Sequence, residues 1–97
     1  MKRVTYKTKT CDLHGMTLEK AKNCVEAFIN QCIAEDVKKA FIVTGSDNHT
    51  NNPVLCRQIP DFVRNLGYNI EFNGNPGSFI VDLSGIQKLY NKYFISQ

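Results

Sequence analysis

The sequence predicts an α/β fold: a two-layer sandwich of β-α-β-α-β-β order, with a four-stranded mixed sheet and a short C-terminal helix. Three observations carry this. Apolar residues recur at helical spacing in two separate stretches. Short apolar or alternating runs of strand length lie before, between and after them. Clusters of Gly, Asn and Pro separate these runs, as turns require.

The first strand is expected over residues 8–13. Its period places Thr10, Asp12 and His14 on one face and Cys11 and Leu13 on the other. The second pair can enter a core, which leaves a carboxylate and an imidazole on the outer face at the strand's carboxyl end. Gly15 then allows a sharp turn, and Thr17 can cap the following helix. That helix should span residues 17–35. Leu18, Ala21, Val25, Phe28, Ile29 and Cys32 make its apolar stripe, and Glu19, Lys20, Lys22, Asn23 and Glu26 sit largely off it.

Ala40-Phe41-Ile42-Val43 is a continuous apolar run, typical of a strand buried on both faces. An Asn-rich loop follows over residues 44–52. Asn52-Pro53 reads as an N-cap with proline in the first helical turn. The second helix carries Leu55, Ile59, Phe62, Val63 and Leu66 on one side. Pro60 is expected to kink or restart it, and Gly67 to end it. Tyr68, Ile70 and Phe72 alternate with Asn69 and Glu71 in a third strand. A turn over residues 73–77 leads to a fourth at residues 79–83, paired with the third as a hairpin. Tyr68, Phe72 and Phe79 are read as core rather than stacking platforms. Ile86, Leu89, Tyr90 and Tyr93 then recur at helical spacing, so residues 84–97 read as an amphipathic helix packed on the domain, with partner docking as the alternative. Residues 1–9 are a basic extension running into the first strand.

The first β-α-β unit should be a right-handed parallel crossover. The loops after Leu13 and Val43 then emerge at the same end of the sheet. Topology alone therefore brings Asp12 and His14 near the 44–52 loop, at the carboxyl ends of strands where open α/β sheets place ligands.

Composition sets the frame. One domain suits 97 residues, and 42% hydrophobic with 22% charged residues is ordinary for a globular protein. Net charge is +3 and the pI about 8.7, which permits nucleic-acid binding without requiring it. No apolar run approaches a membrane span, and the N-terminus lacks a secretory h-region. Cys11, Cys24, Cys32 and Cys56 form no C-x-x-C pair and read as reduced thiols in or near the core. These features point to a cytoplasmic monomer, with the nucleus as the alternative location.

Asp12-Leu13-His14-Gly15-Met16-Thr17 resembles the opening motif of the small MutS-related (Smr) domain. Val43-Thr44-Gly45-Ser46-Asp47-Asn48-His49-Thr50 is similar to the family's second motif, in the T-G-x-G-x-H-S form found mainly in eukaryotic members. Ile59-Pro60-Asp61-Phe62-Val63 resembles its Val-Pro-x-aromatic-Leu segment, which accounts for the awkward proline. Asn75-Pro76-Gly77-Ser78-Phe79-Ile80-Val81 is similar to the closing N-P-G turn and strand. The resemblance covers residues 10–83, with the motifs in order.

It implies a nucleic-acid-binding domain, often an endonuclease that cleaves RNA or nicks DNA, with some members acting on messenger RNA at stalled ribosomes. Carried over by position, Asp12 and His14 are the catalytic candidates. Gly15, Thr44, Gly45, Ser46, Asn48, His49, Thr50 and Arg57 are the nucleic-acid-binding candidates. Backbone N–H groups of residues 45–49 and the helix start near Pro53 would hold a phosphate. Lys38, Lys39, Arg57 and Arg64 read as solvated charges of which a subset lines a phosphate track.

Four positions depart from the family pattern. Asp47 replaces the second loop glycine, Ser46 the basic residue many cleaving members carry, and Asn51 and Asn52 the small residues that follow. Aspartate restricts the backbone and brings negative charge toward a phosphate. Loss of arginine removes a stabiliser of the transition state. Two classes stay open: a nuclease, and a non-catalytic nucleic-acid or ribosome-binding module. Asp12, Asp47 and His49 are the set a divalent metal would use if the loops converge, but no ligand spacing specifies one.

Overall fold

The computed structural model describes residues 7–45 and 54–85. Its elements are β1 (Thr8–Asp12), α1 (Leu18–Ala34), β2 (Lys39–Val43), α2 (Val54–Asn65), β3 (Asn69–Glu71) and β4 (Ser78–Asp82). The strands form one four-stranded sheet in the order β1-β2-β4-β3. β1 and β2 run parallel, with Asp12 level with Val43. β4 is antiparallel to both β2 and β3, with Val43 opposite Ser78 and Glu71 opposite Ile80. The mixed sheet and the β3–β4 hairpin are those the sequence predicts.

α1 forms where the apolar period runs longest. Thr17 is its N-cap, accepting the Lys20 N–H at 3.3 Å. Ala21, Val25, Ile29, Cys32 and Ile33 are its buried side, with Leu18 and Phe28 partly buried beside them. At its end, Lys9 of β1 bonds the Glu35 carboxylate at 3.0 Å, and this bond holds the Glu35 carboxyl below its ordinary range. From the sheet, Leu13, Ala40, Ile42, Phe79 and Val81 meet the helices. Each such side chain, once fully buried, contributes on the order of 1.5–3 kcal/mol for the larger aliphatics and aromatics.

Four expectations need correction. β2 alternates rather than being buried on both faces: Ala40 and Ile42 are buried, while Lys39, Phe41 and Val43 are half-buried. Among the described residues, α1 and α2 pack on the face that carries Ala40 and Ile42. α2 runs unbroken through Pro60, neither restarted nor ended there. Pro60 removes an N–H that would have reached Cys56, but its ring is buried against the core. Leu66 lies past the end of α2 and is 38% exposed. Phe72, expected in the core, is 61% exposed, because β3 ends at Glu71 on the edge of the sheet.

The third and fourth strands also begin or end within a residue of their expected bounds. The expected cap at Asn52-Pro53 and all but the first two residues of the expected C-terminal helix lie outside the described residues. At the end of the sheet away from Asp12, Lys38 joins two strands: its N–H donates to the Lys7 carbonyl at 3.1 Å, and its carbonyl accepts from Leu83 at 2.9 Å.

Candidate functional site

The carboxyl ends of β1 and β2 form one rim, and Asp12 and His14 stand on it. Leu13 is fully buried, and its N–H donates to the Val43 carbonyl at 2.7 Å. That anchor fixes the direction of its two neighbours outward. Asp12 Oδ1 accepts the His14 backbone N–H at 3.0 Å and lies 3.4 Å from His14 Nδ1. The first contact is a turn-forming one, of the kind Asp makes two residues ahead. The second is longer than a strong hydrogen bond but sets which ring nitrogen faces the carboxylate. One oxygen thus shapes the turn and faces the imidazole on its Nδ1 side, with Nε2 on the side of the ring away from it. Both side chains are well exposed.

Gly15 takes a φ of 84°, which carries the chain off the rim toward Thr17. Gly45 is placed against His14 from the other side. Its φ is 88°, and a Cβ built there falls 2.9 Å from the Cβ of His14. The second motif therefore needs glycine at this position for space as well as for backbone conformation.

Thr44 is the buried polar residue among those described, at 6% exposure. Its N–H donates to the Gly77 carbonyl at 2.8 Å, and the Gly45 N–H donates to the same oxygen at 3.1 Å. Its hydroxyl lies 3.3 Å from that oxygen and 3.4 Å from the Cys56 sulfur. Cys56 in turn donates its thiol to the Gly45 carbonyl at 2.8 Å. The base of the second motif is thereby tied to the Asn-Pro-Gly turn and to α2. Both N–H groups are committed inward, so Gly45 adds no backbone donor for a phosphate, contrary to the expectation for the 45–49 loop. Cys56 is half-buried, in keeping with a thiol in or near the core, but its bond to the second motif is not predicted by the sequence. Its position one turn or less into the helix after the loop is the signal that would have marked it.

Asp12, His14, Gly15, Thr44 and Gly45 come together on the rim. Arg57 is exposed in α2, directly after Cys56. Ser46, Asn48, His49 and Thr50, with Asp47 of the metal reading, lie outside the described residues. Among the described residues no group of three or more His, Cys, Asp or Glu side chains is placed to hold a metal ion. The four cysteines are free, and Cys32 is buried while the others are half-buried. Burial, with Cys24 next to it, pushes the Cys11 thiol up to about 11, and burial also raises Cys32. Neither is poised as a nucleophile.

Residues 11–84 match the family model described as the Smr domain. Among curated proteins, the chain is 34% identical over 73 residues to the ribosome rescue factor SmrB of Photobacterium profundum, covering 72% of this chain and 41% of that protein. It is 36% identical over 76 residues to the SmrB of Vibrio cholerae serotype O1, covering 75% of this chain and 40% of that protein. The chain thus spans about 40% of the length of these relatives. Among solved structures, it superposes on the solution structure of the SMR domain of NEDD4-binding protein 2 with a TM-score of 0.64 at 16% identity, covering 86% of this chain and 93% of that one. That likeness is one of fold. With the motifs in order, the same sheet architecture and a family model matched over most of its length, the chain belongs to the Smr domain family.

Proposed function

We propose that this domain binds RNA and cleaves one of its phosphodiester bonds, in the setting of ribosome-linked messenger RNA quality control. The observation that carries the reading is the Asp12–His14 pair, held on the rim by buried Leu13 and given room by Gly45 of the second motif, where a Cβ would meet His14. His14 Nε2 takes a proton from the nucleophile, the RNA 2′-hydroxyl or a water, or returns one to the leaving oxygen. Asp12 keeps the imidazole in register. RNA is favoured over DNA because the ribosome rescue factors above are the chain's relatives by sequence. The expected setting is the cytoplasm, and the expected state a monomer.

One observation favours a second reading. Asp47 and Ser46 stand where a glycine and a basic residue serve cleaving members of the family. A domain altered in this way would bind nucleic acid or the ribosome without turning it over.

End-labelled single-stranded RNA, single-stranded DNA and duplex DNA, each with and without magnesium or manganese, separate the two. The nuclease reading expects products from the wild type, and a loss of at least about 100-fold in folded Asp12→Asn and His14→Ala proteins. Full activity in folded His14→Ala overturns the assignment of the base. A gel shift with no product from the wild type establishes the binding module instead.

A further inference from the structure

We propose that the exposed ring of Phe72, with Arg64 and Arg57, is a stacking subsite for an unpaired base of single-stranded RNA leading away from the Asp12–His14 rim. The proposal rests on the RNA-binding reading above and adds to it the strandedness of the ligand.

Phe72 is the most exposed large apolar side chain among the described residues, at 61%. It is not a loose one. Its ring lies 6.4 Å from that of buried Phe79, at an interplanar angle of 51°. The Arg64 guanidinium carbon lies 5.7 Å from its centroid. An anchored aromatic ring beside an arginine is how single-strand binders hold a base, since every base offers a π-face.

Its place in the fold connects it to the rim. Phe72 follows Glu71, which is level with Ile80, so it stands level with Phe79 on the helix side of the sheet, one residue short of the row Asp12–Val43–Ser78, whose Asp12 faces the other side. Three strand spacings separate β1 from β3 in the sheet order, about 14 Å in all. α2 bridges that interval. The Cys56 thiol touches the Gly45 carbonyl, and Arg57 is the next residue. Arg57 and Arg64 are both exposed and seven residues apart, so they lie on the same side of the helix about 10 Å from each other. Arg64 pairs with Asp61 at 3.1 Å, but both partners are more than half exposed. Such a pair is weak enough to yield the guanidinium to a phosphate. The described chain begins and ends at the far end of the sheet, where Lys7 and Leu83 bond Lys38. A duplex keeps its bases stacked and its major groove closed to side chains, so the subsite selects single strands.

The sequence contains no tryptophan, so Phe72→Trp introduces a single tryptophan that can be excited selectively over the tyrosines. It is placed in the full chain with His14→Ala, which prevents turnover, and titrated with a 12-nucleotide single-stranded RNA and a blunt duplex RNA. Binding is followed in parallel by the anisotropy of a label on the RNA. The expected result is tryptophan quenching by the single strand and none by the duplex. Phe72→Ala should weaken single-strand binding at least about fivefold, and Phe72→Tyr should stay within about twofold of wild type. Binding with no quenching and an unchanged Phe72→Ala affinity overturns the subsite while leaving the RNA-binding reading intact. Equal quenching by the duplex overturns the single-strand assignment. Absence of RNA binding altogether overturns both.

Discussion

Gly45 and His14 are separate in sequence but share one volume. Glycine at position 45 supplies a positive φ and leaves room for the His14 Cβ, since a Cβ at 45 meets it at 2.9 Å. The atom it meets is the first of the imidazole side chain, which has no freedom to swing aside. Gly45→Ala is therefore expected to displace His14. Cleavage should fall more than tenfold in a protein destabilised by about 1–3 kcal/mol, the usual cost of a strained backbone position. Turnover measured beside a urea unfolding midpoint checks this, and unchanged turnover at normal stability would show that the contact does not set the imidazole. The Asp12–His14 pair was legible in the sequence because Asp-Leu-His-Gly stands at a strand end, although β1 stops at Asp12 and a turn rather than strand alternation brings His14 back to it. The Cys56 thiol on Gly45 was not, because a hydrogen bond from a helix back to a loop leaves no period to read.

Among the elements, β4 shows how a strand end is held by charge. Asp82 Oδ1 accepts the Ser84 N–H at 3.1 Å and the Ser84 hydroxyl at 2.8 Å. Lys39 Nζ lies 3.8 Å from its other oxygen and 3.1 Å from Glu71, across the uncovered face of the sheet. The Ser84 bonds above all, then Lys39, hold the Asp82 carboxyl below its ordinary range. A carboxyl with a lowered folded value stabilises the fold fully above its unfolded value, near 4, and stops doing so as pH falls through the folded one. Asp82→Asn should lower stability at pH 7 by about 1 kcal/mol or less, since the group is surface-lying. The gap to wild type should close as the pH drops below about 4. Denaturation midpoints from pH 7 to pH 3 test it, and a gap that widens toward acid would reverse the sign. The helices were well read because their period of apolar residues is long. The strands were less so: β2 reads as buried on both faces, yet only Ala40 and Ile42 of its residues meet helices. Phe72 has the right parity for the core, but the edge of the sheet gives it nothing to pack under. Parity tells which face a side chain takes, and only the tertiary arrangement tells whether that face is covered.

For the whole molecule, charge limits the RNA binding proposed above. The net charge of +3 is small, and several cations are engaged internally: Lys9 with Glu35, Lys38 with Asp36, and Lys39 with Glu71. The track of Arg57 and Arg64 suggests two or three phosphate contacts. Single-strand binding should then follow a log–log salt slope of about −1.4 to −2.1. A titration between 50 and 200 mM salt measures it, and a slope steeper than about −4 would mean that a larger basic surface takes part.

The bonds at Lys38 have a consequence for how such a domain travels between proteins. Lys7 and Leu83 sit on the N–H and the carbonyl of one residue, so the described chain comes in and goes out beside a single peptide, at the pole opposite the Asp12–His14 rim. Chain ends that lie close together are what make a domain tolerant of insertion and of new sequence neighbours. Within the described residues, the first and last backbone segments thus meet at the pole away from Asp12 and His14.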